Sequence, residues 1–171
     1  MSVIDTSRWG VFTIGNIFNV VKGSRLVSAH RVPGDIPYVG ATMFNNGITG
    51  YIGNDEKLHP GGVLTVCYNG PVGTTFYQPN GFWATDDVNV LYPRISMAEE
   101  VGLFIAPIIQ VVGSRYGYVD KWKMVDMVNS ELRLPVAASG EPDWELMKSM
   151  MKERIVKAKQ SLDVLSRFAE Q

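Results

Sequence analysis

Short apolar runs separated by turn sequences characterise residues 1–135. Turn-forming pairs such as Asn46-Gly47 and Asn69-Gly70 recur about every ten residues. The runs between them are rich in β-branched and aromatic residues: Ile36 to Val39, Thr49 to Ile52, Gly62 to Tyr68, Thr74 to Tyr77 and Val88 to Tyr92. This pattern is typical of antiparallel strands joined by tight turns. It predicts an α/β (α+β) fold with a mostly antiparallel sheet.

Two segments within this part predict short helices. Apolar residues from Val11 to Val20 recur at helical spacing, which favours one or two turns of amphipathic helix. Ala98 to Val112 is nearly all apolar after Glu99-Glu100 and predicts a buried helix, whose dipole favours acidic residues at its N-terminus. Pro107 should kink or end that helix, because proline lacks the N–H that helices use.

Beyond Leu134-Pro135 the pattern changes to a helical one. Residues 136–143 form a turn that ends in a suitable helix cap, Asp143, and residues 144–171 contain neither Gly nor Pro. Spacings of four and three join a set of apolar residues that we call the seam: Met151, Ile155, Ala158, Leu162 and Leu165, continued by Ala169. A heptad repeat predicts a coiled-coil-like helix. It would either lie flat on its own sheet or face a helix of another subunit.

The composition suits a folded protein, with 46% hydrophobic and 19% charged residues. No run of 18 apolar residues exists, so we expect no membrane span. The first nine residues lack the pattern of a secretory leader, and the single cysteine, Cys67, excludes an internal disulfide. We therefore expect a cytoplasmic protein with Cys67 buried in a strand.

Charge is unevenly distributed although the net charge is only −1. No acidic residue lies between Asp5 and Asp35, whereas Lys22, Arg25 and Arg31 do. Such segregation allows one cationic face on a nearly neutral protein. Chance spacing of surface charges is the alternative.

Catalytic patterns are missing from the sequence. His30 and His59 have no partner at metal-ligand spacing, and the Gly-rich segments match no nucleotide-binding motif. Asp86 and Asp87 would point to opposite faces of a strand and so make a poor catalytic pair. We expect no enzyme activity, no metal and no cofactor. What remains are loops rich in Asn, Arg and Tyr, which suit contacts with DNA, although an Asn-Gly pair is also common in plain hairpin turns.

Several stretches follow one another in a distinctive order: Trp9 to Phe18, Asp35 to Val39, Gly62 to Gly73, Phe82 to Leu91, and Leu132 to Pro135 followed by Gly140 to Trp144. Their order and spacing resemble the target recognition domain of Type I restriction-modification specificity subunits, and also the specificity subunits of Type IIB systems. The resemblance implies a strongly twisted sheet and a helix that pairs antiparallel with its counterpart. It also implies a non-catalytic subunit that positions methyltransferase and nuclease subunits on double-stranded DNA.

This chain departs from the usual family pattern of two recognition domains and two helices. With one of each, it should form a homodimer or join another chain. We predict a recognition domain over residues 1–135, a turn over 136–143 and a dimerisation helix over 144–171. The alternatives are a decoy that engages methyltransferase subunits without specific DNA binding, and a catalytic fragment.

The DNA-binding residues divide into two predicted groups. Phosphate contacts are assigned to cationic residues, namely Lys22, Arg25, Arg31, Arg115 and Lys121. Contacts nearer the bases are assigned to polar and aromatic loop residues, namely Asn45, Asn46, Tyr68, Asn69 and Tyr116.

Overall fold

The computed structural model describes residues 4–117 and 119–169. Its strands are β1 (Gly10–Thr13), β2 (Phe18–Lys22), β3 (Ile36–Val39), β4 (Ile48–Ile52), β5 (Val63–Cys67), β6 (Thr75–Gln78), β7 (Trp83–Ala84), β8 (Val88–Pro93) and β9 (Glu131–Leu134). Its helices are α1 (Ile14–Ile17), α2 (Glu99–Gly113), α3 (Met124–Asn129) and α4 (Trp144–Ala169). The predicted fold class is confirmed, with antiparallel sheets, short helices and a long helix at the C-terminal end.

The strands divide among three small sheets rather than one. The largest has the order β2-β8-β5-β6, the second has the order β4-β3-β7, and β1 pairs with β9. Of the described pairs, β3 with β7 is parallel and the others are antiparallel. The pairs β1–β9 and β3–β7 join residues far apart in sequence, which local turn patterns do not predict.

Strand β5 is buried along its whole length because both faces of its sheet are covered. Leu64 and Val66 point to the core beneath α2, whereas Val63 and Cys67 point to a second core shared with β3 and β7. The alternation follows from the two-residue period of a strand. Full burial of one such side chain stabilises the fold by about 1.5–3 kcal/mol.

Helix α2 agrees with the predicted buried helix over 98–112. Ile105 and Ile109 are fully buried on its inner face. Pro107 does not end the helix, because it lies on the exposed side. Because proline has no backbone N–H, one carbonyl of the preceding turn lacks its helical hydrogen bond. On the exposed side of the helix, this carbonyl can bond to water.

The one or two helical turns predicted over 11–20 are confirmed as a single turn, α1. Thr13 caps that turn by accepting a hydrogen bond from the Asn16 N–H, and α1 ends after Ile17. The chain then enters β2, whose β-branched Val20 and Val21 pair with β8. Pairing in the sheet therefore decides the conformation of residues whose spacing also suited a helix.

Helix α4 begins at the predicted cap and consists of two different parts. The Asp143 carboxylate accepts a hydrogen bond from the Leu146 N–H at 2.9 Å. Met147 is fully buried in the core beneath α2, which Met150 and Met151 also contact. Further along, Ile155 is half-buried, and the other side chains described from residue 152 to residue 168 are exposed. The helix thus does not lie flat on a sheet.

Candidate nucleic-acid interface

A cleft bordered by lysines opens beside one end of the four-stranded sheet. Lys22 ends β2, and Tyr68 directly follows β5. The Lys22 ammonium lies 5.3 Å from the centroid of the Tyr68 ring, within the range of a cation–π contact. Contact with the Tyr68 hydroxyl raises the pKa of Lys22 above its ordinary value. Lys22 is therefore fully charged at neutral pH.

The opposite wall of this lysine cleft comes from the segment that leads into α3. Lys121, Lys123 and Met124 line it together with Lys22 and Tyr68. Between the two lysines, Trp122 is fully buried, and its indole N–H donates to the Ser130 hydroxyl at 3.0 Å. An anchored tryptophan between two exposed lysines holds both ammonium groups at the surface.

The floor of the lysine cleft is Asn89 of β8, which lies between β2 and β5. Its side chain is only 2% exposed, and its amide nitrogen lies 3.7 Å from the Met127 sulfur. The lysine cleft thus has an apolar and aromatic lining with cationic groups around the rim. Such a lining suits the backbone of a nucleic acid.

A second groove, which contains both cationic and acidic side chains, lies near the lysine cleft. The groove is lined by Arg25 and Arg31 together with Asp86 and Asp87. Arg31 lies over the Tyr38 ring at 4.4 Å. Asp86 and Asp87 also raise the pKa of Lys22 through their charge, although by less than Tyr68 does. The acids therefore reduce the positive potential near both sets of cationic side chains.

The loop after β5 connects the cleft to the acidic pair, Asp86 and Asp87. The Tyr68 hydroxyl donates to the Asp86 carbonyl at 2.6 Å, and the Asn69 amide donates to the Asp87 carboxylate at 2.7 Å. Gly73 has a φ of +86° and packs so closely on Gly113 that a Cβ would lie 2.7 Å from the Gly113 carbonyl carbon. The loop after β5 is thereby fixed to the C-terminal end of α2.

The predicted residues after α2 lie near this same loop. Arg115 is exposed two residues beyond Gly113, and Tyr116 stacks on Trp122 with ring centroids 5.4 Å apart. Tyr116 therefore packs against the tryptophan that positions Lys121. Tyr118, which follows Gly117 in the sequence, lies outside the described residues.

Asn45 and Asn46 occupy a separate turn and already bond to the protein. The Asn45 amide donates to the Ile48 carbonyl at 3.2 Å. The Asn46 amide donates to the Tyr77 carbonyl at 3.0 Å and to the Gln78 side chain at 3.2 Å. Their contact with bases stays a prediction, and Asn46 would have to give up two hydrogen bonds to make it.

The structure brings part of the predicted set together. Lys22, Tyr68 and Lys121 share the lysine cleft, and Asn69, Arg25 and Arg31 adjoin it through the acidic pair. Lys123 and Asn89 were missed. The lysines on both sides of Trp122 could have indicated Lys123 as a DNA-binding candidate. Nothing in the sequence distinguishes Asn89 from other residues of a strand.

The exposed part of α4 carries most of the seam. Met151 and Ile155 are half-buried, Ala158 is exposed, and Leu162 and Leu165 are 64% and 63% exposed. Near its base, Lys152 forms an ion pair with Glu100 of α2 at 3.9 Å. The distal seam residues have no apolar neighbours from the described part of this chain that would bury them.

The groups that could support nucleophilic or metal chemistry are few. Within residues 4–117 and 119–169, no group of three or more His, Cys, Asp or Glu side chains is placed to hold a metal ion. Burial raises the pKa of the Cys67 thiol to about 11, so it is protonated at neutral pH. Among the helices described, none is long and apolar enough to cross a membrane.

Comparison with known proteins connects this geometry to one group of proteins. The family model described as Type I restriction modification DNA specificity domain matches residues 6–157. The chain is 37% identical over 147 residues to the Type II restriction enzyme BgcI specificity subunit S.BcgI of Heyndrickxia coagulans. That match includes 84% of this chain and 42% of the relative.

Solved structures show the same fold. The S subunit of a Type-I restriction-modification system from M. genitalium superposes with a TM-score of 0.63 at 17% identity, over 95% of this chain and 44% of that one. The HsdS subunit from Thermoanaerobacter tengcongensis superposes with a TM-score of 0.62 at 15% identity, over 94% of this chain and 39% of that one. The chain thus spans less than half the length of the relatives it matches.

Proposed function

The chain belongs to the family of Type I restriction modification DNA specificity domains, and from this premise we propose that it reads part of a target sequence in double-stranded DNA. The observation that carries the proposal is the lysine cleft, which Lys22, Lys121 and Lys123 line together with Tyr68. Convergence of three cationic groups and an aromatic ring on one cleft is the chemistry that phosphates and bases require. The similarity to specificity subunits of restriction-modification systems supports this interpretation and not the alternative of a decoy protein.

Cationic residues would position the chain on the DNA backbone. Lys22, Lys121 and Lys123 would contact phosphates from the lysine cleft, and Arg25, Arg31 and Arg115 would extend the contact beyond it. Each contact releases counterions and so strengthens binding at low salt, whatever the base sequence. The Asp86–Asp87 pair would weaken that general attraction and leave more of the affinity to the bases.

Polar and aromatic loop residues would lie nearer the bases. Asn69 is held by Asp87, and Tyr68 is held by the Asp86 carbonyl, so both side chains are oriented before DNA arrives. Asn45, Asn46 and Tyr116 complete the predicted set. Preorganised side chains lose less entropy on binding, which favours specific contacts.

The exposed seam would join this chain to a second recognition unit. Specificity subunits are generally non-catalytic, and we propose that this chain likewise serves methyltransferase and nuclease subunits. A second copy would supply a second unit, pairing through Met151, Ile155, Ala158, Leu162 and Leu165. Helix α4 has 26 residues, so the units would be separated by roughly 40 Å at 1.5 Å per residue.

Footprinting tests the proposal directly. The chain is incubated with genomic fragments, alone and with the methyltransferase of its own system, and nuclease protection is mapped. We expect two short protected half-sites with an unread gap between them. Protection that follows no common sequence would contradict sequence recognition.

A further inference from the structure

An exposed apolar pair projects from the turn between β3 and β4. Met43 is 61% exposed and Phe44 is 73% exposed, and the two are adjacent. Scattered apolar residues are common on protein surfaces, but two large neighbouring ones at the tip of a turn indicate a contact surface. We call residues 40–47 the apolar turn.

Backbone hydrogen bonds close the apolar turn at its base. The Gly40 N–H donates to the Gly47 carbonyl at 2.9 Å, and the Gly47 N–H donates to the Phe44 carbonyl at 2.9 Å. The Phe44 N–H donates to the Thr42 hydroxyl at 3.2 Å. The Phe44 backbone therefore already has partners, and its ring is the group left facing solvent.

Three successive residues of the turn have left-handed backbone conformations. The φ angles are +50° at Asn45, +53° at Asn46 and +80° at Gly47. Apart from glycine, asparagine is among the residues that adopt this conformation most readily. The sequence of this turn thus suits one particular backbone shape.

A buried glutamine of β6 imposes that shape. Gln78 is only 3% exposed, and its amide donates to the Asn46 carbonyl and to the Thr65 hydroxyl, both at 3.0 Å. In return the Asn46 amide donates to the Tyr77 carbonyl and to Gln78. The hydrogen bonds of Asn46 thus anchor the turn to the central sheet.

The apolar turn adjoins the lysine cleft. A Cβ added to Gly70 would lie 3.4 Å from the Cβ of Ala41, so the turn lies against the loop that carries Tyr68 and Asn69. Ala41 also packs against the core cluster that contains Cys67, at the end of β5. DNA held in the lysine cleft would therefore approach Met43 and Phe44 as well.

We propose that Phe44, supported by Met43, contacts the 5-methyl group of thymine in the major groove and determines specificity at one or two positions. Among the unmodified base edges of the major groove, the thymine methyl is the apolar group. Phe44 has no polar side-chain atom, so its own contact with a base edge would be apolar, and the neighbouring Asn46 has committed both amide hydrogens to Tyr77 and Gln78. The inference deepens the proposed function and rests on it.

Selection from a random duplex library tests this contact. The full chain, its Phe44→Ala variant and its Phe44→Leu variant each select duplexes together with the methyltransferase of the same system, at physiological ionic strength, where sequence-independent phosphate contacts are weaker than at low salt. The wild type should enrich a motif containing thymine. Phe44→Ala should lose the thymine preference at one or two positions by about fourfold, the value of burying one methyl-sized group, and keep the others. Phe44→Leu should retain the preference.

Two matched variants serve as controls. Val11→Ala removes another exposed apolar side chain, on β1, and should leave the motif unchanged. Lys22→Ala should weaken binding to all sequences alike. An identical motif for wild type and Phe44→Ala would overturn the apolar contact alone, whereas no motif for the wild type would remove the proposed function together with it.

Replacing thymine by uracil in the selected duplex isolates the methyl group. Wild type should lose about fourfold in affinity at the position that Phe44 reads, and Phe44→Ala should lose nothing further. Equal losses in both proteins would contradict the contact. A Phe44→Ala variant that binds every sequence more weakly, with its motif intact, would also contradict it.

Discussion

The proposed recognition region, which extends from β1 to β9, and the distal half of α4 differ in how far their apolar residues are buried. Ile105 of α2 and Leu64 of β5 are fully buried in one core, whereas Leu162 and Leu165 remain about two-thirds exposed on α4. The proposed recognition region is stabilised by apolar contacts within one chain. A long helix that leaves its regularly spaced leucines uncovered is suited to gain its stability from another helix. Mutations in the core of the proposed recognition region and mutations in the distal half of α4 should therefore have different effects.

The largest expected effect is on assembly. Changing both Leu162 and Leu165 to Asp should dissociate the proposed pair of chains, because burying each leucine is worth about 1.5–3 kcal/mol. Avidity for DNA with two half-sites should fall by about 10²- to 10⁴-fold, since the second binding event is no longer intramolecular. Sedimentation measures the assembly, and the melting temperature should barely change. A wild-type chain that sediments as a monomer at micromolar concentration would contradict pairing through the seam.

The matching change in the core should affect folding instead. Ile105→Ala leaves a cavity between α2 and the four-stranded sheet and should lower the free energy of unfolding by about 2–5 kcal/mol. Chemical denaturation measures this loss. Leu162→Ala on the exposed helix is the control, and it should lower the free energy of unfolding of the monomer by less than about 0.5 kcal/mol. Similar losses for both variants would show that the distal helix is part of the folded core.

These two regions also show what the sequence could predict. The heptad spacing and the Asp143 cap located α4 because helical periodicity and capping are local properties. The apolar runs located β3 to β6 and β8 for the same reason. Pairing of β1 with β9 and of β3 with β7 depends on contacts between distant segments, so it could not be predicted from short patterns.

The candidate site shows the same limit. Residue type indicated Lys22, Tyr68 and Lys121, but their meeting around one cleft depends on β8 lying between β2 and β5. The hydrogen bond between Asn46 and Gln78 joins residues 32 apart in sequence, so short patterns could not predict it either. Sequence identifies which side chains could bind DNA, and the fold decides which are already bonded to the protein.

A smaller effect is expected from a single phosphate contact. Lys22→Ala should weaken binding to all duplexes and lower the dependence of log affinity on log salt by about one unit. Titration of binding at several salt concentrations measures the slope. Lys57→Ala, in an exposed loop away from the lysine cleft, should leave the slope unchanged. An effect of Lys22→Ala confined to one sequence would indicate base reading instead.

The smallest effect is a dependence of folding on pH that belongs to the recognition region alone. His59 is 8% exposed, and burial lowers its pKa below the ordinary value of 6.5. The unfolded chain then binds the proton more readily, so this contribution to stability is complete above pH 6.5 and is lost as the pH falls below it. The slope is at most about 1.4 kcal/mol per pH unit. His59→Gln should flatten the unfolding free energy between pH 7.5 and 5.5 relative to wild type, and an unchanged slope would contradict this assignment.

One titration tests most directly whether the proposed recognition region reads DNA while α4 serves assembly. A duplex that carries the target is titrated with the isolated chain at physiological salt, and then with the chain and its methyltransferase. A single recognition region has few cationic residues, so its contribution from counterion release is small. We predict weak binding by the isolated chain and tight binding to a bipartite target once the methyltransferase joins. Tight, sequence-specific binding by the isolated monomer would contradict this account.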